Sequence, residues 1–226
     1  MSRLQIPLAL KPPRRPAFEN FVAGPNRSVV EVLSEGLEPG GWYFLGGAAG
    51  SGKTHLLSAL LQRLGVAGSP AGFAALDGPA GRDVIEYLDG DWVMLDDVDA
   101  LAGDSAGEMR LFNALNRWRG ERTGVVMSGR TRAEFALPDL RSRLSQATGL
   151  ALKPLSDSDL VRLVQSLAFD HEVALGRGAA EYLVTRVERN PATVVALMQH
   201  LATRALSEQR TVSVPLIREA VQARPG

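Results

Sequence analysis

Nine residues early in the chain have the types and spacing needed to bind a phosphate. They run from Gly46 to Thr54, and the part from Gly47 to Thr54 reads G-x-x-x-x-G-K-T. Glycines in this pattern let successive backbone N–H groups turn toward a phosphate, and the start of the following helix adds partial positive charge. Lys53 can reach the outer phosphates, and the Thr54 hydroxyl is a ligand for Mg²⁺. The predicted phosphate-binding residues are Gly47, Gly50, Ser51, Gly52, Lys53 and Thr54.

Two carboxylates follow a later apolar run, Trp92 to Leu95. If this run is a strand beside the phosphate loop, Asp96 can hold Mg²⁺ through water and Asp97 can polarise an attacking water. Taken without the phosphate loop, the same pair is more often a helix cap or a solvated turn. A further apolar run, Gly124 to Met127, ends at Ser128. Ser128 would lie near the outer phosphate if its strand lies between the strand that precedes the phosphate loop and the strand that ends at Asp96.

The segments around these residues predict the elements that position them. Short apolar runs alternate with helical patterns as far as a fifth strand at 150–152, which favours a parallel α/β sheet with helices on both faces. In the helix predicted over 106–118, Met109, Phe112 and Leu115 form the apolar face. From Leu155 onward the pattern is helical only, with helices predicted at 157–169, 178–187, 191–206 and 215–223. The sequence therefore predicts an α/β domain followed by a small all-α domain.

Composition excludes several functional classes. The 226 residues are 45% hydrophobic, enough for a sizeable core, and carry 25 Lys and Arg against 25 Asp and Glu. This balance gives no net positive field for nucleic-acid backbones. Cysteine is absent, which excludes disulfide and thiolate chemistry and fits a reducing compartment. With no apolar segment long enough to span a bilayer and no signal-peptide pattern, we expect a cytoplasmic protein without a membrane partner.

The first sixteen residues differ from the rest. Residues 5–10 form a short apolar peptide that starts with Gln5, and residues 11–16 are proline-rich. This pattern fits either a tethered linear motif that docks in a partner's pocket or an N-terminal strand lying on the domain's own surface.

Taken together, these blocks resemble an AAA+ ATPase of the DnaA type. The matching segments are residues 18–22 with Gly24 and Asn26, and residues 43–57 around the phosphate loop. The resemblance covers residues 17–223 and stops where DnaA continues into its DNA-binding domain, so we expect no direct sequence-specific DNA binding. It implies ADP or ATP with Mg²⁺ as ligand, and adds four residues to the predicted nucleotide site: Phe21, Val22, Asn26 and His55. Core packing would explain Phe21 equally well.

Within this group the chain resembles the Hda family, whose members inactivate DnaA while bound to the DNA polymerase sliding clamp. In that family a Gln-Leu-x-Leu-Pro-Leu-type hexapeptide binds the clamp. Gln5, Leu8 and Leu10 match it, Ile6 is a conservative replacement, and Ala9 stands in place of the usual proline. The resemblance implies the sliding clamp and DnaA as partners.

The resemblance also implies a role for Arg143 that composition alone does not give. Arg143 matches the arginine finger of a Leu-x-Ser-Arg-Leu motif, presented to a nucleotide on a neighbouring subunit; Arg141 lies two residues away and points elsewhere. AAA+ proteins usually carry a nucleotide-sensing arginine near the start of the third lid helix, but residues 190–197 contain no arginine, so either Arg189 replaces it or the contact is lost. Asp97 stands where most AAA+ ATPases have Glu. We therefore expect weak or no intrinsic turnover.

These observations predict three regions: a clamp-binding peptide and linker at 1–16, an AAA+ nucleotide-binding domain at 17–154 and a helical lid at 155–226. The function predicted is stimulation of the hydrolysis of DnaA-bound ATP, which prevents repeated initiation of replication. The alternatives are a self-assembling AAA+ motor or loader that acts without the clamp, and an adaptor that uses nucleotide only as a structural ligand. The sequence leaves open whether ADP or ATP is the working ligand and whether the chain forms a homo-oligomer.

Overall fold

The computed structural model describes residues 15–130 and 134–222. The chain divides into two compact units, Pro16–Lys153 and a second unit that begins at Pro154. The first is an α/β unit and the second is helical. Among the described residues, no helix is both long enough and apolar enough to cross a bilayer.

Strands and helices alternate along the α/β unit. Short 3₁₀ turns at Phe18–Asn20, Gly24–Asn26, Ile85–Tyr87 and Val98–Leu101 supplement them. In chain order the elements are α1 (Arg27–Glu35), β1 (Trp42–Gly46), α2 (Lys53–Val66), β2 (Ala71–Ala75), α3 (Pro79–Val84), β3 (Trp92–Asp96), α4 (Ser105–Glu121), β4 (Gly124–Gly129), α5 (Pro138–Leu144) and β5 (Thr148–Ala151).

The five strands form one parallel sheet in the order β2-β3-β4-β1-β5. Strand β4 therefore lies between β1 and β3, with Ser128 opposite Leu45 and Met127 opposite Leu95. Parallel strands end at the same edge of a sheet, and ligands of open α/β sheets bind at that carboxyl edge. The phosphate loop, the Asp96 and Asp97 pair and Ser128 consequently meet there.

Successive strand residues face opposite sides of the sheet, and both sides are buried under helices. On β3, Val93 and Leu95 pack against α4, whereas Trp92 and Met94 belong to the core beneath α1 and α2. Fully buried strands read as continuous apolar runs, which is why these segments were recognisable in the sequence. The predicted α/β fold with helices on both faces is confirmed.

The predicted apolar face of helix α4 is correct at Phe112 and Leu115, which pack in the core, and wrong at Met109. Met109, assigned to the apolar face, is 46% exposed, and Glu108 is buried instead. The inward face consists of Gly107, Glu108, Leu111, Ala114, Leu115 and Trp118. Glu108 can occupy this face because three backbone N–H groups donate hydrogen bonds to its carboxylate.

The helical unit contains α6 (Asp157–Asp170), α7 (Ala179–Val184), α8 (Pro191–Ser207) and α9 (Val214–Gln222). Their apolar faces share one core, which includes Leu160, Leu183, Leu197 and Leu216. Ser156 caps the start of α6: its hydroxyl accepts a hydrogen bond from the backbone N–H of Asp159, whose carboxylate in turn accepts one from the N–H of Ser156.

Candidate functional site

The phosphate loop connects β1 to α2 and needs glycine at particular points. Gly50 and Gly52 have φ angles of +73° and +99°, in the left-handed region that glycine adopts most readily. A Cβ atom on Gly52 would lie 2.7 Å from Cε2 of Phe21, and one on Gly47 would lie 2.6 Å from the Ser51 hydroxyl. A side chain at either position would therefore collide with Phe21 or Ser51, so both positions require glycine.

Lys53 is folded back over this loop. Its side chain is almost buried, and its ammonium group donates hydrogen bonds to the carbonyls of Gly47 (3.3 Å) and Ala48 (3.1 Å). The same nitrogen lies 4.0 Å from Oδ1 of Asp97. Beside it, the buried hydroxyl of Ser51 has no hydrogen-bond partner among the described residues. The arrangement places one cation and one unpaired hydroxyl within the loop.

Asp96 and Ser128 form a buried pair at the carboxyl ends of β3 and β4. The Ser128 hydroxyl donates a hydrogen bond to Oδ1 of Asp96, and both side chains are at most 3% exposed. The same hydroxyl oxygen accepts a hydrogen bond from the backbone N–H of Asp97 at 3.1 Å. Ser128 therefore fixes the carboxylate of one aspartate and the backbone of the next.

Asp97 turns sharply as it leaves β3, with φ of +54° and ψ of +51°. Its carboxylate is partly exposed and lies on the Lys53 side of the strand end. Burial raises the pKa of Asp97 above its usual value, and the neighbouring charge of Asp96 raises it further, while Lys53 opposes the shift. A carboxyl group with a raised pKa holds a proton more readily, which suits a group that accepts one from water.

Mg²⁺ usually takes one or two protein oxygens and completes its shell with phosphates and water. The Thr54 hydroxyl, in the first turn of α2, and the Asp96 carboxylate are hard oxygen donors of this kind. Within residues 15–130 and 134–222, no group of three or more His, Cys, Asp or Glu could hold a metal alone. The donor set fits a magnesium ion that is held jointly with phosphates.

Residues upstream of the loop pack beside it. The Nε2–H of His55 donates a hydrogen bond to the Ala17 carbonyl at 3.0 Å, and the His55 ring centroid is 5.4 Å from that of Phe21. Burial lowers the pKa of His55, although the bond to Ala17 opposes the shift. Val22 is half-buried next along the chain. The neutral imidazole therefore holds the 17–22 segment against the start of α2.

Asn26 uses its amide on the protein itself. The side chain is 2% exposed, donates to the carbonyl of Lys153 at 3.0 Å and accepts from the N–H of Lys153 at 2.7 Å. It thereby ties the start of α1 to the chain just after β5.

Arg141 and Arg143 occupy different environments on α5. Arg141 donates to the carbonyl of Phe135 at 2.6 Å. No hydrogen bond or ion pair engages the guanidinium of Arg143 among the described residues, and its side chain is half-exposed.

Two sets of polar interactions, the Arg130–Asp99 pair and the backbone hydrogen bonds of Glu108, were not predicted from the sequence. Arg130, which follows β4, contacts the buried carboxylate of Asp99 through Nε at 2.5 Å and through its backbone N–H at 3.1 Å. Glu108 accepts hydrogen bonds from Gly103, Ala136 and Leu137. The position of Asp99, two residues after Asp97, was a usable signal for the Arg130–Asp99 pair. Nothing in the local sequence indicates the hydrogen bonds of Glu108.

In the helical unit, Arg189 forms an ion pair with Asp157 at 3.0 Å. Its guanidinium is thus engaged within that unit. The predicted clamp-binding residues Gln5, Ile6, Leu8 and Leu10 lie outside the described residues.

A complete phosphate loop, a strand-end aspartate pair, a serine on the strand between them and a following helical unit define the AAA+ class of P-loop proteins. Residues 157–221 match the family model described as "Hda, lid domain". Domain III of the Thermotoga maritima replication initiation protein DnaA superposes with a TM-score of 0.79 at 18% identity, covering 94% of this chain and 98% of that one.

Two longer proteins have the same fold. AMPPCP-bound DnaA from Aquifex aeolicus superposes with a TM-score of 0.70 at 20% identity, over 85% of this chain and 65% of that one. The Thermotoga maritima RuvB Holliday junction branch migration motor superposes with a TM-score of 0.62 at 18% identity, over 80% of this chain and 61% of that one. The lid match and the shared AAA+ fold support an Hda/DnaA-like protein, as the resemblance in the sequence implied.

Proposed function

We propose that the chain binds ADP or ATP with Mg²⁺ at the phosphate loop. Support comes from the glycine turn at Gly47, Gly50, Ser51 and Gly52, where phosphate oxygens would bind, because Gly50 and Gly52 have the positive φ angles of such a turn. Lys53 supplies a charge beside them. Thr54 and Asp96 offer oxygens to Mg²⁺, and the Aquifex DnaA of the same fold is AMPPCP-bound.

The residues upstream of the loop complete the proposed site. Phe21, Val22 and His55 line its adenine side, and Asn26 holds this segment in place through Lys153. Ser128 binds the Asp96 carboxylate and the Asp97 backbone N–H, and so holds both aspartates where the outer phosphate would lie.

We further propose that the protein acts in the cytoplasm as a regulator of DnaA, supplying Arg143 to ATP bound by DnaA. The observation that carries this proposal is the contrast on α5, where Arg141 is engaged inside the domain and Arg143 is not. A guanidinium presented in trans stabilises the charge on the transferring phosphoryl group and is worth about 10³ to 10⁵ in rate. The hexapeptide at residues 5–10 would hold the protein on the sliding clamp.

The test measures hydrolysis of DnaA-bound ATP in the presence of clamp loaded on DNA. We expect Arg143→Ala to lower the stimulated rate about 10³-fold or more. Arg143→Lys should also be slow, because an ammonium group lacks the planar fork of a guanidinium. Arg63→Ala, which removes an exposed arginine near the end of α2, is the matched control. Undiminished hydrolysis with Arg143→Ala would overturn the mechanism; if Lys53→Ala then abolished function, the adaptor alternative would be supported.

A self-assembling motor that acts without the clamp is the second candidate. It is favoured by the position of Asp97, whose carboxylate lies 4.0 Å from Lys53 and has a raised pKa. The purified protein alone would then hydrolyse ATP rapidly, and Asp97→Asn would reduce this rate. Slow turnover by the isolated protein would exclude the motor.

A further inference from the structure

Glu108 is a buried carboxylate that binds three backbone N–H groups. Its side chain is 1% exposed. Oε1 accepts hydrogen bonds from Gly103 at 2.8 Å and Ala136 at 2.9 Å, and Oε2 accepts one from Leu137 at 2.7 Å. The three donors come from two separate segments, one just before α4 and one just before α5. One side chain therefore fastens the start of α5 to α4.

The charge on Glu108 is maintained in this environment. Burial alone would raise its pKa, but the three N–H donors and the nearby charge of Arg141 outweigh burial and hold the pKa below its usual value. Hydrogen bonds to an ionised acceptor are stronger than those between neutral groups. The attachment is thus a set of three charge-assisted bonds.

The attached segment leads directly into the helix that carries Arg143. Leu137 immediately precedes α5, Leu140 of α5 is fully buried, and Arg141 donates to Phe135 within the same segment. Residues 135–141 are therefore fixed both to α4 and to the core. Arg143 follows on the same short helix, and its guanidinium has no hydrogen-bond or ion-pair partner among the described residues.

We propose that Glu108 is a positioning residue for Arg143. By fixing the backbone at Ala136 and Leu137, it sets where α5 begins and hence where the Arg143 guanidinium is presented. The inference rests on the proposed function, in which Arg143 acts on a nucleotide bound by another subunit. Misplacement of a reacting group by about 1 Å can cost about 10²-fold in rate, so the start of this helix controls the stimulated reaction.

Glu108→Gln is the sharpest variant. A glutamine amide has a single carbonyl oxygen, which can accept two hydrogen bonds, and its NH₂ group would face a third N–H donor. At least one of the three attachments is therefore lost with almost no change in volume. Glu121→Gln, at the exposed end of the same helix, is the matched control.

The experiment measures clamp-dependent hydrolysis of DnaA-bound ATP for Glu108→Gln, Arg143→Ala, the double variant and Glu121→Gln. We expect Glu108→Gln to lower the maximal stimulated rate about 10- to 100-fold without changing the concentration that gives half-maximal stimulation. Because Glu108 acts through Arg143, the double variant should match Arg143→Ala within about twofold. Amide hydrogen exchange should become faster across residues 134–144.

The outcomes separate this inference from the proposed function. A normal rate or unchanged exchange in Glu108→Gln, alongside a slow Arg143→Ala, would overturn the inference and leave the proposed function standing. Multiplicative losses in the double variant would also overturn it, because Glu108 would then act independently of Arg143. Undiminished hydrolysis in Arg143→Ala would overturn both. Should Glu108→Gln fail to fold, Arg141→Ala removes the bond to Phe135 from an exposed position and should slow the reaction in the same way.

Discussion

At the scale of single residues, Gly52 combines a positive φ angle with a close approach to Phe21. Its φ of +99° disfavours any other residue, and a Cβ atom would strike the Phe21 ring at 2.7 Å. We expect Gly52→Ala to lower the free energy of unfolding by about 1–2 kcal/mol or more through backbone strain, and also to displace Phe21 and weaken adenine-nucleotide binding. Titration with ATP and denaturant unfolding measure the two effects.

Gly68 provides the control for this prediction. It has φ of +75°, but a Cβ atom at this position would have no neighbouring atom within 4 Å in the described part of the chain. Gly68→Ala should therefore lower the free energy of unfolding through backbone strain and leave the affinity for ATP unchanged. If the two alanine variants bound ATP equally well, the contact between Gly52 and Phe21 would not contribute to nucleotide binding.

How far the site could be predicted depends on how local its determinants are. The phosphate loop is a continuous pattern, so its glycines and Lys53 could be identified from the letters alone. Asn26 and Glu108 are different, because their partners lie 127 and up to 29 residues away. A buried polar side chain whose partners are distant backbone groups has no signature in the local sequence.

At the scale of elements, the attachment of α5 to α4 has a measurable pH dependence. The pKa of Glu108 in the folded protein is below its usual value of 4.5. Ionised Glu108 therefore stabilises the fold fully above about pH 4.5, and this contribution is lost as pH falls through the lowered folded pKa. We expect Glu108→Gln to be less stable than the wild type at pH 7 by about 1–3 kcal/mol, with a smaller difference at low pH.

Tryptophan fluorescence during denaturant unfolding measures this difference. All three tryptophans, Trp42, Trp92 and Trp118, belong to the α/β unit, so the signal reports that unit alone. Because other carboxylates titrate equally in both proteins, the difference between them isolates Glu108. A gap that widened as the pH was lowered would show that the carboxylate is not the stabilising form.

The elements themselves were largely predictable, since apolar runs mark fully buried parallel strands. The exact boundaries of the elements and the buried faces of the helices were harder to predict. Strand β5 covers Thr148–Ala151, whereas the sequence prediction was 150–152. The face of α4 was wrong at Met109, because counting apolar residues cannot foresee that a charged Glu108 finds three backbone donors inside.

At the scale of the whole molecule, each unit has its own apolar core. One core serves the helical unit, and the sheet of the α/β unit has a core on each side. Alternation of strand and helix followed by helices alone was sufficient to predict this class of fold. Topology was not derivable from periodicity: the position of β4 between β1 and β3, on which the placement of Ser128 depends, comes from the structure.

Recruitment and chemistry are assigned to different parts of the chain. In the proposed function, residues 5–10 recruit the protein to the clamp and Arg143 supplies the chemistry. A linked binding module raises the effective concentration of its neighbour without new contacts at the reacting site. We expect Gln5→Ala to raise the protein concentration required for half-maximal hydrolysis of DnaA-bound ATP by about 10²-fold, while the rate at saturating protein stays unchanged.

Arg143→Ala should show the opposite pattern, with a low rate at every concentration. Ser2→Ala, which lies outside the hexapeptide, is the matched control and should behave as the wild type. The measurement is a full titration with clamp loaded on DNA, repeated without clamp, where Gln5→Ala and the wild type should coincide. Tethering alone changes the fraction of DnaA that is bound and leaves the hydrolysis rate within the complex unchanged. A reduced rate for Gln5→Ala at saturating protein would therefore mean that clamp binding does more than recruit the protein.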